Sequence, residues 1–187
     1  MPTNFSTNTL TGTSVAIDEY FVTADSFRQG TLFTWGSNAY GELGDNTTTQ
    51  RLTPITTLSG GANWKQVFSI RDQTAAIKTD GTLWTWGYNL FGQLGDNTTT
   101  NRLTPVTTFA GGTNWKQVSA STGYFTAAIK TDGTLWTWGR NVLGQLGDNT
   151  TTQRNTPVTT FAGGTNWKQV SCGSNHTSAV TYIDDYQ

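Results

Sequence analysis

The sequence predicts an all-β protein, a partial β-propeller of about three to three and a half four-stranded blades. Three observations lead there: a repeat seen three times at offsets of 51 and 52 residues, four strand-like runs in each repeat, and no window of sustained 3.6-residue periodicity. Propellers close with about 4–8 blades. The chain is therefore expected either to be completed by a second copy of itself, as a two-fold dimer forming one propeller, or to have its open sides covered by other proteins or by Met1–Asp18 folding back.

The repeat sets the register of everything else. Gly30-Thr-Leu-Phe-Thr-Trp-Gly36 recurs as Gly81-Thr-Leu-Trp-Thr-Trp-Gly87 and as Gly133-Thr-Leu-Trp-Thr-Trp-Gly139. Gly41-Glu-Leu-Gly-Asp-Asn46 returns from Gly92 and Gly144 with Gln in place of Glu. Pro54, Pro105 and Pro157 keep step, as do Trp64, Trp115 and Trp167. The added residue falls in Ser119–Phe125, where a loop absorbs it. A repeat domain is expected over residues 19–187, as units 30–80, 81–132 and 133–184, behind a head or docking segment at residues 1–18.

Within a unit the elements follow in order. Trp115-Lys-Gln-Val118 alternates faces and reads as a first strand. Phe125–Thr131 reads as a second, closed by the hairpin signal Asp132-Gly133. Leu135–Trp138 is a third, ended by Gly139. A Gly/Asn/Thr loop then leads to a weak strand at Pro157–Thr160, whose proline suits only an edge or a strand start. Ahead of the first unit, Glu19–Ala24 reads as an opening second strand, and Trp167–Tyr182 supplies two closing strands.

The run Trp-Gly-x-Asn-x-x-Gly-Gln-Leu-Gly, at Trp86–Gly95 and Trp138–Gly147, resembles the repeat of the regulator of chromosome condensation family. Val170-Ser-Cys-Gly-Ser-Asn-His-Thr177 is similar to a second segment of that repeat. The resemblance covers roughly Gly30 to Thr181 and implies propeller blades, seven in the family's members. Two repeated strand positions carry tryptophan: Trp35, Trp86 and Trp138 at one, Trp64, Trp115 and Trp167 at the other. Fixed register makes these six a scaffold between blades rather than a stacking platform for sugars or bases.

Composition removes several function classes. Only 12% of residues are charged, the net charge is −1, and no Lys/Arg run exists, so no nucleic-acid partner and no electrostatic membrane anchor are expected. Eight Trp, nine Phe and six Tyr mark a folded chain. Cys172 is the only cysteine, so no intramolecular disulfide is expected. No apolar run approaches the ~20 residues of a spanning helix, and Met1–Thr13 lacks the basic and apolar regions of a signal peptide. A soluble chain made in its producer's cytosol is expected, without membrane insertion.

Catalytic, cofactor and metal sites are not expected. His176, the lone histidine, reads as a residue satisfying a blade loop; with Cys172 it could form a nucleophile–base pair, but no third orienting group is suggested. Two N/S ligands fall short of a zinc site. The Gly-Asp-Asn-Thr-Thr-Thr runs at Gly44, Gly95 and Gly147 lack the spacing of a calcium loop and read as turns.

Comparison of the units separates scaffold from decoration. The Thr-Asp-Gly hairpins and the Asn-Trp-Lys-Gln-Val stretches barely change. Two loops do change, first-to-second strand (Phe68–Gln73, Ser119–Phe125, Ser171–His176) and third-to-fourth strand (Ser37–Tyr40, Tyr88–Phe91, Arg140–Leu143). In an up-and-down blade these two loops share one face, opposite the hairpins. The residues expected to meet a protein partner there are Tyr40, Arg71, Tyr88, Phe91, Tyr124, Phe125 and Arg140, since Tyr and Arg are enriched in binding hot spots.

The expected function is non-enzymatic, a structural or adhesive component of a larger assembly. The near-identical Thr/Asn/Gly-rich units resemble in style bacteriophage virion accessory proteins, which implies a place in the virion and partners among its own copies, other subunits or a host surface receptor. The alternative is a cytoplasmic protein-binding module or inhibitor. The family includes a β-lactamase inhibitor and regulators of small GTPases, but no partner-contacting residue matches beyond the scaffold.

Overall fold

The computed structural model describes residues 30–58 and 61–182. The head at 1–18, the expected strand at Glu19–Ala24 and the tail at 184–187 lie outside the described residues. Twelve strands and no helix make up the described part. A half sheet comes first, β1 (Phe33–Gly36) with β2 (Arg51–Thr56). Two complete sheets follow in chain order. One holds β3 (Trp64–Ile70), β4 (Gln73–Lys78), β5 (Leu83–Gly87) and β6 (Arg102–Thr107). The other holds β7 (Trp115–Ala120), β8 (Phe125–Lys130), β9 (Leu135–Gly139) and β10 (Arg154–Thr159). A second half sheet, β11 (Trp167–Cys172) with β12 (Thr177–Thr181), closes the described chain. Every pairing is antiparallel.

The sequence repeat and the sheet are out of phase. Each unit starts on the third strand of one blade and ends on the second strand of the next. Three units therefore give two whole blades and two halves, a partial propeller of three blade equivalents.

Local chemistry fixes each element. At the hairpin between β4 and β5, Thr82 N–H and Oγ1–H both donate to Asp80 Oδ1, at 2.9 and 2.7 Å. Asp132 and Thr134 repeat the arrangement between β8 and β9. Gly133 has a φ of 77°, and a Cβ there would strike the Thr165 carbonyl, so the turn needs glycine twice over. Pro105 and Pro157 sit in β6 and β10, outer strands whose pairing shifts register beside them, as proline requires.

The core lies between blades rather than within one. Ala75, Ile77 and Leu83 of the first complete blade pack with Trp115, Val118, Ala128 and Trp138 of the next. Leu32, Trp64, Ala76 and Trp86 make the preceding layer, and Ala127, Ile129, Leu135 and Val170 the following one. The alanine pairs of β4 and β8 are fully buried because large neighbours on both sides leave room only for a methyl group. Lys78 lies over Trp64 and Trp84, and Lys130 over Trp115 and Trp136, with ammonium-to-ring distances of 4.5–4.7 Å.

Trp86 and Trp138 are fully buried, and Trp64 and Trp115 nearly so. Trp35 departs from the scaffold expectation. It has the same register, yet it is 60% exposed, because among the described residues no blade precedes the half sheet that carries it.

Candidate functional site: an aromatic and arginine face built from five loops

The third-to-fourth strand loops are held by a buried asparagine. Asn89 Nδ2 donates to Asp96 Oδ1 and to the Thr98 and Thr100 carbonyls, while its Oδ1 accepts the Leu94 N–H at 2.9 Å. Asn38 and Asn141 repeat this bonding. Arg51, Arg102 and Arg154 reach back to Asp45, Asp96 and Asp148 at 2.5–2.7 Å. Burial pushes these three carboxyls up, but hydrogen bonds from the neighbouring Thr and Arg outweigh it and hold each below its ordinary value. The Gly-Asp-Asn-Thr turn is thus a closed unit with its carboxylate already engaged.

Six of the seven residues expected to meet a partner come together, four of them on loops held this way and Arg71 and Tyr124 on the first-to-second strand loops. Tyr40 and Tyr88 meet edge to face at 4.8 Å between ring centroids. Tyr124 lies 5.3 Å from Tyr88 and stacks on Phe91 at 5.2 Å. Arg71 sits over the Tyr124 ring at 5.7 Å, and Arg140 over Phe91 at 5.5 Å. The contacts join five loops: β1–β2, β3–β4, β5–β6, β7–β8 and β9–β10. First-to-second and third-to-fourth strand loops therefore share a face, as the alternation of an up-and-down blade requires. Arg71 and Tyr124 hold φ values of 45° and 65°, which turn their side chains toward this centre at some backbone cost.

The seventh residue, Phe125, is a correction. It is the first residue of β8 and is fully buried. Successive strand residues point to opposite faces, so Tyr124 turns outward and Phe125 goes into the core. Gln73, the first residue of β4, is buried at the same register.

Asp72, which the sequence reading passed over, underlies the cluster. Its carbonyl accepts the Tyr88 N–H at 2.8 Å, and its carboxylate lies 3.4 Å from Arg71. Burial pushes the Asp72 carboxyl up, and the Glu42 charge adds to this against the pull of Arg71. Burial also raises the Tyr88 hydroxyl, which stays neutral and able to donate.

A second recurring bond was also missed. Thr74, Thr126 and Thr177 each donate from Oγ1 to a carbonyl of the preceding blade, those of Glu42, Gln93 and Gln145, at 2.7–2.9 Å. Trp86 and Trp138 Nε1–H donate to the first two of those carbonyls, at 2.9 and 2.8 Å. A backbone acceptor leaves no mark in a sequence.

The Cys172–His176 pairing does not form. Cys172 Sγ donates to the Ser119 carbonyl, and burial pushes its thiol up to about 11, away from the nucleophilic thiolate. His176 is exposed at the end of the described sheets, and no cluster of three or more potential metal ligands occurs among the described residues.

The regulator of chromosome condensation (RCC1) repeat matches residues 29–77, 80–129 and 132–180, in phase with the units read from the sequence. Over 161 residues the chain is 34% identical to the ultraviolet-B receptor UVR8 of Arabidopsis thaliana, covering 85% of this chain and 37% of that protein. Over 152 residues it is 33% identical to the probable E3 ubiquitin-protein ligase HERC4 of Homo sapiens, covering 79% and 14%. The chain thus spans less than two-fifths of these relatives. Human WBSCR16 superposes with a TM-score of 0.67 at 24% identity, over 82% of this chain and 40% of that one. Prp20p of Saccharomyces cerevisiae, whose binding to Gsp1p and histones has been described, superposes at 0.67 and 21%, over 81% and 39%. Both likenesses speak for the fold.

Proposed function

We propose that this chain, which belongs to the regulator of chromosome condensation (RCC1) repeat family, is a non-enzymatic protein-binding module that presents its five-loop face to a partner protein. One observation carries this reading: aromatic and arginine residues from the two loops that change between near-identical repeats converge on a single cluster of Tyr40, Tyr88, Phe91 and Tyr124 flanked by Arg71 and Arg140. Rings already packed on one another lose little rotamer freedom on binding, and the guanidinium groups beside them, of exposed Arg71 and half-buried Arg140, suit carboxylates of a partner. The hairpin face opposite is nearly invariant between units and offers no such discrimination.

A finer reading places the module in a virion, bound to other subunits or to a host surface receptor. It is supported by the style of the near-identical Thr/Asn/Gly-rich units. Co-purification with particles tests that placement. The face itself is tested by Tyr88→Ala and Arg71→Glu with a captured partner: each should lower affinity about 30-fold or more, as for a hot-spot residue, with the fold intact by circular dichroism. Full binding by both variants would remove the face from consideration.

A further inference from the structure

The two half sheets are complementary halves of one blade. β11 and β12 are the first and second strands of a blade, and β1 and β2 are the third and fourth, as the pairing registers of the complete sheets establish. We propose that the chain associates with a second copy of itself head to tail, β12 of one pairing with β1 of the other to complete a hybrid four-stranded blade. This rests on the two ends of the described chain and is independent of the loop-face reading.

The exposed apolar residues at these ends support it. Each has counterparts inside the repeat array that are covered by a neighbouring blade. Trp35 is 60% exposed where Trp86 and Trp138 are at 0%. Val180 is 52% exposed where Ile77 and Ile129 are at 1% and 0%. Val67 is 49% exposed where Val118 and Val170 are at 2%. Leu52 is 86% exposed, and its counterpart Leu103 packs against Gly41 of the preceding blade.

Receptors for these groups lie at the other end. The Glu42 and Gln93 carbonyls accept both a threonine hydroxyl and a tryptophan indole, whereas among the described residues Gln145 O has only the Thr177 hydroxyl. A Cβ on Gly44 or Gly95 would meet the indole of Trp86 or Trp138, but on Gly147 it would reach only Thr160. A Cβ on Gly41 or Gly92 would meet Leu103 or Asn155, and on Gly144 nothing. The Leu103 and Asn155 carbonyls accept the N–H of Asn46 and Asn97 at 2.9 Å, and Asn149 has no such partner among the described residues. An open trough of about 360 Å³ occupies this place, lined by Gln145, Leu146, Gly147, Trp167, Thr177 and Ala179. Trp35 of a second copy fits it, with Leu52 on Gly144 and the Leu52 carbonyl on Asn149.

A matching trough of about 370 Å³ runs along the edge of β1 that is unpaired among the described residues, and it receives β12. The strand required there carries small and aliphatic residues where β4 has Ala76 and Ile77, and β12 supplies Ala179 and Val180. The other occupant this edge would take is the chain's own Glu19–Ala24, read from the sequence as an opening second strand. Two copies joined at both ends hold six blades, within the range that closes.

Light scattering at micromolar concentration should give twice the 20.3 kDa chain mass. Leu52→Glu and Val180→Asp change residues that are exposed in the single chain, so both should fold, and each should raise the dissociation constant at least about 100-fold by placing a charge in the junction. In the hybrid blade Phe33 faces Ala179, as Trp84 faces Ala76. Chains carrying Phe33→Cys and chains carrying Ala179→Cys, mixed and oxidised, should therefore form a Phe33–Ala179 position disulfide identifiable by mass spectrometry. A 20.3 kDa monomer at that concentration, with the β1 edge covered by the chain's own preceding residues, would overturn the proposal. So would a dimer indifferent to both charges and lacking that cross-link.

Discussion

Trp35 and Trp86 have the same sequence neighbours, Thr-Trp-Gly, and their strands pair onward in the same register, yet one indole faces solvent and the other is sealed. The difference lies in what stands beside them. Trp86 Nε1 reaches the Glu42 carbonyl of the preceding blade; Trp35 has no described blade before it. In a repeat array each unit is stabilised by its neighbours as much as by its own sequence. Identical residues therefore contribute differently in the interior and at the ends, and this gradient can be measured.

The largest effect should come from emptying the interior. Trp138→Ala and Phe125→Ala each remove a fully buried aromatic side chain and should cost about 3–5 kcal/mol. Trp35→Ala should cost under about 1 kcal/mol in a dilute, unassociated sample. Urea unfolding compares them directly. Equal losses at Trp35 and Trp138 would mean that the end blade is covered within the single chain.

Next in size is the loop framework. Asn89→Ala leaves the Leu94 N–H and the Asp96 carboxylate each short of a bond in a buried setting, and should cost roughly 1–3 kcal/mol. The same change at Asn38, in the half sheet, should cost no more. A larger loss at Asn38 would reverse the gradient.

Much of this organisation was legible in the sequence because its causes are local. The Asp-Gly turns and the prolines of the outer strands leave residue-level marks, and the variable loops pointed to the shared face; that the units run out of phase with the sheets, giving two whole blades and two halves, came from the strand pairing. Phe125 was misplaced because it adjoins Tyr124 in a variable stretch; the second strand read from Phe125 already set it on the same face as Ala127 and Ile129, and that alternation was the missed signal. The Arg102–Asp96 pair was recoverable from its constant six-residue spacing, repeated at Asp45–Arg51 and Asp148–Arg154. The Thr and Trp donors to Glu42 and Gln93 carbonyls were not, since they join residues 32–45 apart through backbone acceptors.

Acid should act on the loops of interior and end alike. Asp45, Asp96 and Asp148 are held below their ordinary value when folded, so they stabilise the fold at neutral pH. That contribution is lost as pH falls through the folded values, below about 3.8, the ordinary value the shifts start from. Arg102→Gln removes one of the bonds holding Asp96 down. The variant should start less stable and lose less between neutral and acid pH, in thermal melts taken across the range. A variant with an unchanged pH slope would mean that the Arg102 pairing contributes nothing to folding.

The smallest effect is expected at His176, and it sharpens the comparison from the other end of the chain. By strand register His176 stands where Gln73 and Phe125 stand, just before the threonine that bonds the preceding blade. Gln73 is buried, and its Nε2 donates to the Gln93 carbonyl and to Thr126 Oγ1. Phe125 is sealed in the core. His176 is exposed, and the bond it makes in the turn, its carbonyl accepting the Gly173 N–H at 2.9 Å, belongs to the backbone and survives substitution. His176→Ala should therefore shift unfolding by no more than about 0.5 kcal/mol, the range of surface changes away from special features. Denaturant titration below the concentration at which the chain associates is the fair measurement. A loss near that of Phe125→Ala would show the second-strand edge already covered in the single chain, and interior and end would then be one environment.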